Sequence, residues 1–202
     1  MAINGIAQSK PALGGVVSSI TPSVVIAPVS ANRPYILGSV VVGITPTTST
    51  TPAKAFVGQP EGQQKIQGVM CLGSAQVAQR GENGFVKAGF ADDYNNFGTK
   101  GAFWCALDLA HFVKSDVEDV KGKGVLSVDK NGVLSFGKQN VQGNTSAGGT
   151  DNNVVIGNDS VSVLNFYDKA IIGAIDESVA VGAETYAFKY PKGIGAILVI
   201  VK

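Results

Sequence analysis

The sequence is short of the groups from which catalytic sites are usually built: its 202 residues hold one histidine, two cysteines and one tryptophan. Enzymes gather titratable groups in a cleft, where burial and neighbours tune them. His111 is the sole imidazole available for such work. Asp108 lies three residues before it, but no Gly-x-Ser-x-Gly elbow supplies a nucleophile. Two cysteines and one histidine do not complete a four-ligand zinc site. Charge is scarce as well. Asp, Glu, Lys and Arg make up 15% of the chain, against about a quarter in ordinary soluble domains, and the formal net charge is +1. Basic residues form no stripe, so binding nucleic acid through bulk electrostatics is not expected. Lys121 and Lys123 sit beside Asp116, Glu118 and Asp119 and read as a solvated face. No apolar run reaches the roughly 18 residues of a membrane-spanning helix, and the first residues carry no signal-peptide pattern. Synthesis in the cytoplasm, with no membrane or nucleic-acid partner and no cofactor, is the expectation.

What the chain has in quantity is β-branched residues and 26 glycines. Hydrophobic residues make up 45%, enough for a core without disulfide or metal staples. So low a charge also suits a surface partly covered by subunit contacts, although a weakly charged monomer satisfies it too. Cys71 and Cys105 lie in apolar sequence and read as buried thiols. A disulfide between them, closing a loop of about 34 residues, is the alternative.

Pro11, Pro22, Pro28 and Pro34 keep residues 1–34 extended. The apolar pieces Gly15–Val17 and Val24–Ile26 suggest an arm laid along its own domain or a neighbouring subunit, an ordinary edge strand being equally open. Residues 35–202 read as one β-rich body. Strands are expected at 35–42, 65–79, 85–90, 101–107, 154–156, 161–167, 170–175 and 186–190. The last strand, Ile194–Val201, is almost wholly apolar and must be buried on both faces or paired at an interface. Thr45–Pro52, Asp92–Gly98 and Gly143–Asn153 read as loops, and Asp108–Val120 is the one helix candidate, with strand as its alternative. The clearest local signal is Asn131-Gly132 between Val125–Val128 and Val133–Phe136, a hairpin whose turn requires positive φ. The fold class is therefore all-β, an antiparallel sandwich or barrel with an extended N-terminal arm and at most one short helix.

The remaining clusters read more simply as structure than as sites. Asp92, Asp93, Asn95 and Asn96, like Asp151–Asn153 with Asn158 and Asp159, lack the spacing of a calcium loop. The glycines of 143–149 lack the Gly-Lys-Ser/Thr ending of a phosphate loop. Phe85, Phe90, Tyr94, Phe97, Phe103 and Trp104 could stack on sugars, but aromatics in alternating strands more often anchor a core.

The Gly-Val/Pro arm of 11–34, the strand–turn pattern of 65–90 and the 125–136 hairpin together resemble small virion structural proteins of tailed bacteriophages, particularly capsid decoration (cement) proteins. That resemblance implies a non-enzymatic protein of the virion. It would bind the capsid exterior through the major capsid protein, as a homo-oligomer such as a trimer, and stabilise the shell by bridging capsomers. Strand addition by an extended arm suits that role. Val16, Val17, Val24, Val25, Ile26 and Tyr35 are the expected assembly contacts. Two other readings stand beside it. One is a tail or fibre component that binds a host surface through a tip at 44–53 or 143–153. The other is a β-sandwich enzyme or carbohydrate-binding domain.

Overall fold

Apolar residues on both faces of the same strands decide the architecture. In a computed structural model, residues 10–20, 23–45, 53–58, 66–71, 95–112, 114, 126–136, 154–156 and 161–202 are described. They form twelve strands: β1 Val25–Ala31, β2 Val40–Thr45, β3 Lys54–Val57, β4 Gly68–Cys71, β5 Asn95–Phe112, β6 Leu126–Val128, β7 Leu134–Phe136, β8 Val154–Ile156, β9 Val161–Ile172, β10 Ile175–Val181, β11 Glu184–Tyr190 and β12 Ile194–Val201. The chain is all-β, as the density of β-branched residues and turn signals predicts.

β5 organises the molecule. Its first half pairs antiparallel with β1 on one side and β4 on the other. From there hydrogen bonding runs β4–β2–β3–β1 and back to β5, a closed circuit whose only parallel step is β1–β3. The second half of β5 pairs antiparallel with β12 and parallel with β7. β12 carries β9 on its far edge, and β7 leads on to β6 and β8.

Successive side chains of these strands point to opposite faces, and here both faces are apolar. Val41, Met70, Ala106, Ile194 and Ala196 enter one core cluster with Tyr35, Ile36 and Phe188. Their sequence neighbours Val40, Val42, Val69, Cys71, Cys105, Leu107 and Ile197, and Val199 two residues further on, enter a second with Phe103 and Leu126. The sheet thus lies between two cores, which explains why β12 reads as continuous apolar sequence rather than as alternation. The expectation that Ile194–Val201 is buried on both faces holds, and the interface is internal. The low charge follows in part from the same cause.

The segment 125–136 does form a hairpin, but its turn differs from the expected one. Strand register pairs Val128 with Leu134, leaving a three-residue loop beyond the Asp129–Val133 pair. Gly132 alone takes positive φ, at 77°, and its N–H bonds Asp129 O, so Asn131 is not the left-handed residue. Two further expectations need correction. Asp108–Phe112 is the end of β5 rather than the start of a helix; Lys114 beyond it is helical, and 113 and 115–120 of the expected helix lie outside the described residues. The backbone of 108–112 is taken by Gly193 and Ile194 on one side and by Phe136 on the other, and these sheet partners outweigh a weak helical spacing. Asn95–Gly98, expected in a loop, begins β5, because β1 and β4 flank it. The expected strand at 85–90 and the loops at 46–52 and 143–153 lie outside the described residues.

β10 and β11 stand apart as a two-stranded ribbon. Their register leaves Gly182-Ala183 as a two-residue loop with positive φ at Gly182 only, which is the type II′ pattern. Ile175, Phe188 and Tyr190 at the base are buried in the first core, while the tip is exposed.

Candidate functional site

Two regions stand out against this framework: a group of exposed apolar side chains between positions 16 and 26 and a buried polar junction.

Residues 14–17 run along β5. Gly14 N–H donates to Trp104 O at 2.8 Å, Val17 N–H to Ala102 O at 2.9 Å, and Trp104 N–H to Gly15 O at 3.0 Å. After residue 23 the chain joins β5 again as β1, whose Val29 and Ala31 are buried in the first core. The N-terminal segment is thus laid along its own chain. Its side chains are only partly covered, however. Val16 is 36%, Ile20 42%, Val25 50% and Ile26 46% exposed. Among the described residues one further large apolar side chain is so exposed, Ile44, so four of these five fall between positions 16 and 26. Val17 and Val24 are half-buried, and Val24 packs on the second core. Tyr35 is a correction: it is fully buried beside Ile36 and Leu37, with its phenol pushed up by burial, and offers no surface to a partner. The sequence could not separate Tyr35 from its neighbours: it reads 35–42 as a strand region, whereas Tyr35 lies between β1 and β2, outside both.

Sequence reasoning missed the buried junction, although it singled out one of its members. Arg33, in the turn after β1, is 8% exposed. Its Nη1 donates to Lys130 O at 2.6 Å and its Nη2 to Asn131 Oδ1 at 2.7 Å. Its guanidinium lies 4.6 Å from the Tyr186 ring centroid, an arrangement that stabilises a cation shielded from water. Asn131, 3% exposed, donates from Nδ2 to Ala187 O and to Tyr190 Oη, each at 3.0 Å. Tyr190 O–H donates to Asp129 Oδ2 at 2.6 Å, and Asp129 Oδ1 accepts the N–H groups of Asn131 and Val133 at 2.9 Å. One junction therefore ties the β1 turn, the β6–β7 turn and the β10–β11 ribbon.

Burial sets the electrostatics of this junction. Desolvation pushes the Asp129 carboxyl up to about 6, against the three hydrogen bonds that favour its charged form. Burial also lowers Arg33 below the usual guanidinium value, with Asp129 opposing, and pushes Tyr190 well up. Tyr186 is raised chiefly by its hydrogen bond to Glu184.

The remaining sequence candidates fall as follows. Asp108 Oδ2 lies 2.7 Å from His111 Nδ1, and Asp108 Oδ1 accepts Ala110 N–H at 2.8 Å. A register shift against β7 between Leu107 and Phe112 brings the two side chains together on a strand. His111 is exposed at the surface, and no hydroxyl or thiol among the described residues bonds its ring. Cys71 and Cys105 are free and buried, with weak contacts to Val69 O and Phe103 O. Burial pushes Cys71 up to about 12 and Cys105 higher, so neither is a ready nucleophile. Phe97 and Phe103 are core residues, and Trp104 packs against the first core. Phe85, Phe90, Tyr94, the Asp92-Asp93 pair, Asp151–Asn153, Asn158, Asp159 and the 143–149 glycines lie outside the described residues. Among the described residues no helix is long and apolar enough to cross a membrane. Comparison with known protein families, with characterised proteins and with solved structures finds no match to this chain.

Proposed function

We propose that this protein is a non-enzymatic structural component of a phage virion. It binds the capsid exterior and stabilises the shell by bridging capsomers, with residues 16–26 as its main contact. The observation that carries the reading is the exposure of Val16, Ile20, Val25 and Ile26 between positions 16 and 26, whereas among the other described residues only Ile44 is a comparably exposed large apolar side chain. Isolated exposed apolar residues are ordinary, and it is their concentration on one segment that supports reading it as an interaction surface. That surface is carried on a backbone hydrogen-bonded to β5, so docking it requires little ordering of the chain. The partners are the major capsid protein and further copies of this chain, in keeping with the resemblance to decoration proteins.

The test has two steps. The genes flanking this one identify the shell to use, and purified protein is then mixed with those empty shells and sedimented. The proposal expects saturable co-sedimentation and greater resistance of the shells to heat. Absence of binding at micromolar protein, or flanking genes for metabolism alone, contradicts it; tail or fibre genes would transfer the chain to a host-binding role.

A further inference from the structure

The Asn131-Gly132 pair has a chemistry that the hairpin does not use. In an open Asn-Gly sequence the glycine nitrogen attacks the asparagine side-chain carbonyl carbon. The bond to the amide nitrogen breaks, ammonia leaves, and water opens the resulting succinimide to aspartate or isoaspartate. No oxidant or other co-reactant is required. The missing glycine side chain makes the approach easy, and such pairs are among the thermolabile sites of proteins.

Every group in that reaction is engaged here. The would-be nucleophile, Gly132 N–H, is committed to Asp129 O at 3.0 Å. Both hydrogens of the leaving amide are committed, to Ala187 O and Tyr190 Oη. The carbonyl oxygen is held by Arg33 Nη2, and at 3% exposure the residue is closed to hydrolytic water. Two of the three side-chain bonds come from β11, so the protection depends on the ribbon being docked.

We propose that Asn131-Gly132 is a latent deamidation site gated by docking of the β10–β11 ribbon: closed, it is inert, and each opening exposes it to an irreversible conversion. The conversion would act on the ribbon in turn. An aspartate at 131 loses both donors to β11 and places a second carboxylate beside Asp129, so the ribbon no longer redocks as before. The site then records, covalently, how often the junction has opened. This inference is independent of the capsid reading.

The test uses the full chain at mildly alkaline pH, with conversion at position 131 followed by peptide mass spectrometry. Asn4-Gly5 and Asn83-Gly84 are the other two such pairs in the chain, and the same spectra follow them. The ratio of native to denatured rate is taken separately for each pair. At Asn131 the native rate is expected to fall at least about 100-fold below the denatured rate, as for a group reached only through local opening. Tyr190→Phe, which removes one hydroxyl, is expected to raise the native rate about tenfold and to speed amide exchange across 175–190 while leaving 194–201 protected. Low denaturant applied to the unmodified chain provides the same comparison without any substitution. There, conversion at 131 and amide exchange of the ribbon should rise together. Equal native and denatured rates at Asn131 would overturn the proposal. So would conversion that tracks global unfolding rather than ribbon exchange.

Discussion

Gly58 and Gly182 show how far the same backbone conformation differs in cost with its surroundings. Both have positive φ, 53° and 59°, where an L-residue is disfavoured by about 1–2 kcal/mol. A Cβ at Gly182 meets nothing within 4 Å, whereas one at Gly58 would lie 2.1 Å from Gly132 N and 2.5 Å from Asp129 O, both backbone atoms. Gly182→Ala is therefore expected to cost about 1–2 kcal/mol in chemical denaturation. Gly58→Ala should cost at least about 3 kcal/mol, because the β6–β7 turn and its junction must move. Equal costs would show that the approach of β3 to that turn is not as tight as described. Asp129 gives a second prediction at this scale. Its folded value, about 6, lies above the ordinary 3.8, so the native chain binds this proton more tightly than the unfolded one. The stabilisation from protonating Asp129 is complete below the unfolded value and is lost as pH rises through about 6. Between pH ~4 and ~7 the native chain should lose about 2–3 kcal/mol relative to Asp129→Asn in urea unfolding. A difference that stays constant, or grows in the native chain's favour, contradicts this account of the junction.

At the scale of elements, position within the sheet decides what a residue is worth. Ile197 on β12 faces the second core at 0% exposure, between β5 and β9, whereas Ile26 on β1 is 46% exposed. Ile197→Ala is expected to cost about 2–5 kcal/mol and Ile26→Ala less than about 1, measured by denaturant unfolding. Comparable losses would mean that Ile26 serves the fold rather than the surface. The same comparison shows what the sequence could reveal. The burial of β12 was legible, because eight residues without a charge have few other places to go. The 125–136 hairpin was legible from Asn-Gly between apolar runs. The continuation of β5 through Asp108–Phe112 was not, since the reasons lie in Gly193, Ile194 and Phe136, which are remote in sequence. The junction was half legible: Asn131 drew attention as a turn residue, but its bonds to Arg33 and to β11 span 98 and 56 positions. Nothing local announces partners that far away.

At the scale of the molecule, two cores on either side of one sheet remove most of the described Val and Ile side chains from water without help from a partner. Low charge alone therefore says less about assembly than the sequence suggested. What remains to be accounted for is the set of exposed side chains Val16, Ile20, Val25 and Ile26, on segments of which 14–17 and β1 pair with β5. Removing residues 16–26 would be a poor test, because Val29 and Ala31 just beyond them belong to the first core. Point substitutions at Val25 and Ile26 separate surface from fold. The most direct measurement is the fraction of Val25→Asp/Ile26→Asp protein that co-sediments with empty capsid shells, compared with the unmodified chain at matched concentration. The account predicts at least about a tenfold loss of binding, in line with the removal of central apolar contacts, with unfolding stability changed by less than about 1 kcal/mol. Undiminished binding by the doubly substituted protein would contradict it.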